Sequence, residues 1–279
     1  MTRLNQKWYT KLYVGIIMSF LYLPILVLIV YSFNESKSRS VWGGFSLKWY
    51  KELFADELIM TSLANTLIIA LIASVVATIL GTAAAMGIFS MKRKWFRSAV
   101  MNITYMPILN PEIITGVSLL LLFVFANEKL HLPIELGMVT LVIAHVTFCT
   151  PYVILNVLPK LRQLDKFTYE AAMDLGCSPT LAFFKVIIPE IMPGILTGFL
   201  MAVTYSIDDF IISYFVSSAG SQTLPVTIGA MVRKRISPKI NALSAIIFVV
   251  VLAALLITNY MGARKEKEMR RKSGGGSHI

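Results

Sequence analysis

Three carboxylates stand in stretches that otherwise carry almost no charge: Glu112 in PILNPEIITG, and Asp208 and Asp209 in YSIDDF. A charged group deep in hydrocarbon is expensive, so it faces a bundle interior or a polar pathway, or pairs with a buried donor. Glu112 lies 14 residues past Ser98, and Asp208 lies 14 past Gly194. With both stretches starting from one membrane face, both acids sit about 21 Å up a straight helix, in one layer beyond the midplane. Asp208 and Asp209 are about 100° apart around a helix, so they need not face one cavity. One of them is free to cap or pair elsewhere. Tyr205 and Ser206 add an aromatic wall and a hydroxyl beside them. Acids without basic partners in the same spans suit a cationic solute. An elongated amine gains Coulomb energy from each carboxylate and cation–π attraction from Tyr205. Sulfate, phosphate or molybdate meets repulsion there. The sign argument selects a cation; it does not separate a polyamine from a basic amino acid or a metal cation.

These acids need spans to hold them. The chain has 279 residues, 56% of them hydrophobic, with only 15% charged. The apolar residues gather in runs of the roughly 20 residues that cross hydrocarbon as a helix. Six are read, over 12–33, 58–89, 98–126, 136–158, 194–215 and 242–260, making an all-α integral membrane protein with six transmembrane helices. The second contains GTAAAMG, a row of small residues suited to close helix packing. In the third, Pro107 and Pro111 interrupt the hydrogen-bond ladder, as a static kink or a moving gate. Of the 26 lysines and arginines, 17 fall on the side of both termini and nine on the other, which places both termini in the cytoplasm. Arg233, Lys234, Arg235 and Lys239 stand against that bias in an outer loop, either as a solvated patch or as a contact for an acidic partner protein.

The net charge of +11 flanks the spans, where anionic lipid headgroups account for it. No zinc-finger spacing or RNA-binding aromatic motif supports a nucleic-acid partner. The first run is long and lacks a small-residue cleavage site, so it reads as a retained span rather than a signal peptide. Cys149 and Cys177 are not placed for a structural disulfide. His145 stands alone in a span and reads as a packing or hydrogen-bonding residue. No metal site and no catalytic residue are expected. The chain also lacks a GxxxxGK[ST] phosphate loop, so energy for active transport has to come from a partner.

One polar segment interrupts the apolar chain, EAAMDLGCSPTLAFFKVIIPEIMPG at 170–194. Lys166, Glu170 and Asp174 share a face of a short helix. Ala171 and Ala172 favour that helix and keep its flank slim, and Gly176 ends it with a turn. Ser178 and Pro179 start a second helix, in which Leu181, Phe184 and Ile188 recur until Pro189 stops the pattern. Two short cytoplasmic helices with an apolar and acidic surface fit either a docking element for another protein's groove or a connector between spans four and five.

Glu170-Ala171-Ala172, Gly176, Ile187 and Pro189 resemble the EAA loop of type I binding-protein-dependent ABC-transporter permeases. That resemblance implies a cytoplasmic EAA-type coupling loop between spans four and five, with Glu170 as its acidic contact and Gly176 as its turn. Over nearly 10–262 the chain also resembles the spermidine/putrescine permeases of PotC type, through LYLPILVLIVYSFNESK, FSLKWYKELF, PILNPEIITGVSLLLLF, HVTFCTPYVILNVLPKL and YSIDDFIISYF. The acids of SIDDF and NPEI match acidic positions of that family; the latter is commonly aspartate, so Glu112 changes reach but keeps the charge. The implied protein is half of the translocation pathway of a polyamine importer in the bacterial cytoplasmic membrane. Its implied partners are a second permease subunit of different sequence, two cytoplasmic ATPase subunits and an extracytoplasmic polyamine-binding protein. No cofactor is bound by this chain; ATP and Mg belong to the ATPase subunits. A permease for another cation such as a basic amino acid, or a motor-independent channel subunit, is the alternative. On this reading residues 1–262 form the permease domain, 263–273 a basic cytoplasmic tail, and GGGSHI at 274–279 a cloning scar.

Overall fold

The computed structural model of the chain describes residues 8–37, 41–234, 238–250 and 252–253. Its helices in chain order are α1 (Trp8–Ser32), α2 (Lys48–Phe54), α3 (Glu57–Ser90), α4 (Lys94–Leu109), α5 (Glu112–Glu128), α6 (Met138–Gln163) and α7 (Lys166–Asp174). There follow α8 (Pro179–Ala182), a π-helical turn (Phe183–Ile187), α9 (Ile188–Asp208), α10 (Ile211–Val216), α11 (Leu224–Lys234) and α12 (Pro238–Val250). Among the described residues there is no sheet, only an isolated bridge between Asn34 and Phe45.

Four runs are long and apolar enough to cross a membrane: Trp8–Ser32, Glu57–Ser90, Met138–Gln163 and Pro179–Asp208. The pair α4 and α5 passes as a fifth, bent by 103°. The expectation of six transmembrane helices is therefore corrected to four, or five with the bent pair, among the described residues. The run expected over 242–260 yields only the shorter α12, and most of its second half lies outside the described residues.

Backbone chemistry explains the differences. Asn110 is extended, with φ −76° and ψ 143°, the conformation favoured before a proline because the Pro111 ring crowds the helical region of the residue ahead of it. The expected third span thus divides at Asn110–Pro111, while Pro107 stays inside α4. The expected fifth span ends early, at Asp208, since Asp209 is extended with ψ 118°. It also begins early. Pro189 does not stop the helix: the Ile188 N–H donates to Phe183 O, and this wider turn carries the chain past the proline into α9.

The chain divides into two compact units, residues 1–57 with 231–279, and residues 58–230. In the second, α6 is the central element. A Cβ at Gly81 of α3 would lie 2.7 Å from Val153 Cβ, and one at Gly198 of α9 would lie 3.1 Å from Val153 Cα. Missing side chains on α3 and α9 thus let both helices close on α6, the small-residue packing that membrane helices use in place of water-driven burial. Ala77, Ala85, Val153, Val157, Leu161, Ile191 and Ala202 form the core around this contact. A second cluster of Ile69, Leu119, Phe123, Leu141, Ala144, Ile212 and Val216 binds α5 and α10 to α6.

In the first unit, buried Asn34 closes a loop. Its Oδ1 accepts from the Gly43 N–H at 2.8 Å and its Nδ2 donates to Val41 O at 2.9 Å. Trp49 Nε1 donates to Asn34 O at 2.7 Å. Lys239 Nζ lies 3.2 Å from Asp56 Oδ2 and 3.9 Å from Glu52 Oε2. One cation of the basic 233–239 patch is therefore spent inside the protein. Arg235 lies outside the described residues.

Candidate functional site

The two helix breaks of the second unit meet at one cleft. It holds about 320 Å³ and is lined by Pro107, Glu112, Thr115, Phe148, Tyr152, Tyr205, Asp208, Asp209 and the first residues after the second break. All four residues expected on a substrate pathway, Glu112, Tyr205, Asp208 and Asp209, are among them, with the kink residue Pro107. Pro111 sets the first break as the non-helical residue immediately before α5. Each break opens the regular helix at the depth where an acid stands, and irregular backbone at membrane depth is tolerated where it lines a cavity.

The two adjacent aspartates have separate surroundings. Asp209 is buried, and its carboxylate accepts from the Ile212 N–H at 3.2 Å and the Ser213 N–H at 2.7 Å. Those are orphan donors at the start of α10, so Asp209 caps that helix. Asp208, by contrast, is exposed at the last residue of α9. Glu112 is exposed in the first turn of α5. Neither has a hydrogen-bond or ion-pair partner among the described residues.

Tyr152 was not singled out from sequence. Its ring stacks on Tyr205 with centroids 4.2 Å apart and planes 27° apart, which makes a two-ring wall in the cleft. In the sequence it is one aromatic among apolar residues of a span, and 53 positions separate it from its stacking partner. An aromatic wall beside two unpaired carboxylates is chemistry for an organic cation. Among the described residues no group of three or more His, Cys, Asp or Glu is placed to hold a metal ion.

The polar segment forms at the other end of α9. Asp165 caps α7 by accepting from the Phe167 N–H at 3.0 Å. Gly176 takes φ +86°, a turn that a residue with a Cβ adopts only under strain. Ser178 Oγ then accepts from the Leu181 N–H at 3.4 Å, with Pro179 at the first helical position. Ala172 is buried, while Glu170, Ala171, Gly176, Leu181 and Phe184 face outward. Leu175 is 86% exposed and Phe184 66%, an apolar surface on a segment rich in polar residues. Glu170 also lines a groove of about 300 Å³ with Phe89, Tyr169, Ile187 and Glu190.

Residues 77–271 match the family described as binding-protein-dependent transport system inner membrane component. The chain is 43% identical over 253 residues to the putrescine transport system permease protein PotI of Escherichia coli strain K12, covering 91% of this chain and 90% of that protein. It is 34% identical over 253 residues to the spermidine/putrescine transport system permease protein PotC of the same strain, covering 90% and 92%. Among solved structures it superposes on a chain of a bacterial alginate ABC transporter in complex with a pentasaccharide-bound periplasmic protein, with a TM-score of 0.72, 18% identity and coverage of 92% and 93%. At that identity the likeness speaks for the fold. The chain belongs to this family of inner-membrane transport components. It is a transmembrane permease subunit and a multi-pass protein of the bacterial inner membrane.

Proposed function

We propose that this permease subunit forms half of the pathway of an ATP-driven importer of polyamines, putrescine or spermidine. The observation that carries the reading is the cleft itself, whose lining combines Glu112 and Asp208, unpaired among the described residues, with the stacked Tyr152–Tyr205 pair. Two carboxylates attract the ends of a diamine, and the rings cover its methylene stem while attracting its charge. Similarity to PotI and PotC, named for putrescine and for spermidine and putrescine, supports that solute. Asp209 shapes the wall as a cap, and Asp208 and Glu112 meet the solute.

The exposed segment from α7 to the π-turn takes force from a cytoplasmic ATPase. Glu170 provides the acidic contact, Gly176 the turn, and Leu181 and Phe184 the apolar anchors; Ala171 and Ala172 keep the flank slim. A single helical run, Pro179–Asp208, joins this segment to the cleft, so displacement at one end reaches the acid at the other. Pro107 and Pro111 border the movable break. A second permease subunit, two ATPase subunits that bind ATP and Mg, and an extracytoplasmic polyamine-binding protein complete the transporter, with both termini of this chain in the cytoplasm.

The test is uptake of labelled putrescine, spermidine and arginine into vesicles holding the whole transporter, with its binding protein outside and ATP inside. Polyamine uptake that depends on ATP and on the binding protein is expected. Arginine uptake alone would move the assignment to a basic amino acid, and uptake without ATP would make the chain part of a channel.

A further inference from the structure

One buried polar group behind the cleft has no part in the pathway so far. His145 lies in α6 with its side chain fully buried, and it does not line the cleft. Its Nδ1 is 2.6 Å from Ser206 Oγ, and its Nε2 is 3.1 Å from Ser213 Oγ. Nε2 also stands 3.5 Å from Asp209 Oδ2. Ser206 belongs to α9 and Ser213 to α10, so one imidazole is bonded to the chain on both sides of the break. A carboxylate only accepts, so the tautomer that serves these partners carries its proton on Nε2, and Nδ1 accepts from the Ser206 hydroxyl.

Ser206, Ser213 and Asp209 are buried with it. A buried polar set costs free energy unless each member is satisfied, and a satisfied set tolerates little displacement. The set surrounds the point where the chain leaves α9, directly after Asp208. Among the described residues no other side chain of α6 is hydrogen-bonded to both α9 and α10. Cys149, one turn further along α6, reaches only Ala202 O, at 3.5 Å.

We propose that His145 is a positioning residue for the cleft: bonded to Ser206 and Ser213 and set beside Asp209, it fixes the direction in which α9 ends and thereby aims Asp208 at the solute. This rests on the reading of the cleft as the solute pathway. The imidazole touches no solute; it acts through the break.

A residue needed only for folding changes how much transporter assembles, whereas a positioning residue changes how much solute each ATP moves. The experiment therefore measures putrescine taken up per ATP hydrolysed, in vesicles holding the complete transporter and its binding protein. His145→Ala leaves Ser206, Ser213 and Asp209 without their partner and is expected to lower that ratio about tenfold. His145→Gln keeps an N–H directed at Asp209 and is expected to restore it to within about twofold of the unmodified protein. An unchanged ratio in His145→Ala overturns the proposal. Should that variant fail to assemble, the double variant Ser206→Ala/Ser213→Ala decides: a fall in the ratio is expected, and an unchanged ratio overturns the proposal. Asp208→Asn runs alongside. If it too leaves the ratio unchanged, the pathway reading fails and the positioning role with it. If it lowers the ratio while His145→Ala does not, only the positioning role falls.

Discussion

The helical run Pro179–Asp208 ends in two different ways. Just before and at its start, Leu175, Leu181 and Phe184 are exposed, uncovered by the other described residues. At its finish, Ser206, Asp209, Ser213 and His145 are buried and bonded into one set, while Asp208 is exposed and has no partner among the described residues. Large apolar residues left exposed beside polar ones mark a surface meant for a macromolecule. An exposed carboxylate held on a rigid frame suits a small charged solute. On the proposed reading one helical run carries two interfaces, and the difference teaches that they are built differently: the docking end presents apolar side chains, while the cleft end is framed by buried polar groups bonded to one another.

Substitutions should separate the two ends. The largest effect is expected at the cleft, where Asp208→Asn lowers polyamine uptake about hundredfold, as the loss of a charge contact within a desolvated pathway implies. Its thermal stability should stay near that of the unmodified subunit, because the side chain holds no hydrogen bond among the described residues. Asp209→Asn should show the opposite balance. It replaces one acceptor of the α10 cap by a donor and should cost about 2 kcal/mol of stability, read as a lowered midpoint in thermal unfolding of the detergent-solubilised subunit. Equal stability for the two variants would erase the distinction between the neighbouring acids.

At the docking end, Phe184→Ala should weaken capture of the ATPase subunits about tenfold in a pull-down, the loss typical of an apolar anchor at an interface. Undiminished capture would remove Phe184 from the contact. Tyr205→Leu breaks the stack on Tyr152 and should lower uptake about fivefold, in keeping with one aromatic contact to an organic cation. Gly176→Ala is the smallest change. A methyl group at φ +86° costs about 1 kcal/mol, so ATPase capture should fall by a few-fold and recover with Gly176→Asn, which accepts that conformation more readily.

Local chemistry made the docking end legible in the sequence. Glycine at a left-handed turn and serine–proline at a helix start act within a few residues, and the structure has both at Gly176 and Ser178. The acids were legible for the same reason: a carboxylate in a run of apolar residues needs no partner to be noticed. Breaks were harder to see. A proline usually stops a helix, yet Pro189 lies within a continuous run because the preceding π-turn makes room for it. Near Pro111 the reverse holds: a ring expected to bend one span divides it by 103°. The break after Asp208 depends on a side chain that captures the Ile212 and Ser213 N–H groups in competition with the helix, and apolar IIS gives no warning of it. The available signal was the aspartate itself, a residue type whose side chain accepts from backbone N–H groups a few positions on and so starts a new helix. Tyr152 and the partners of His145 are joined across 53 to 68 positions of chain, which only the packing of α6, α9 and α10 brings together.

The central claim is that the unpaired acids of the cleft carry a cationic solute. Its most direct test is ATP-dependent uptake of labelled putrescine into vesicles holding the whole transporter, with the unmodified chain compared against Glu112→Gln/Asp208→Asn after assembly of both has been verified by co-purification. The account predicts uptake by the double variant at the level of vesicles without ATP. Uptake within about twofold of the unmodified transporter would contradict it, because a pathway that works without those charges does not recognise its solute through them.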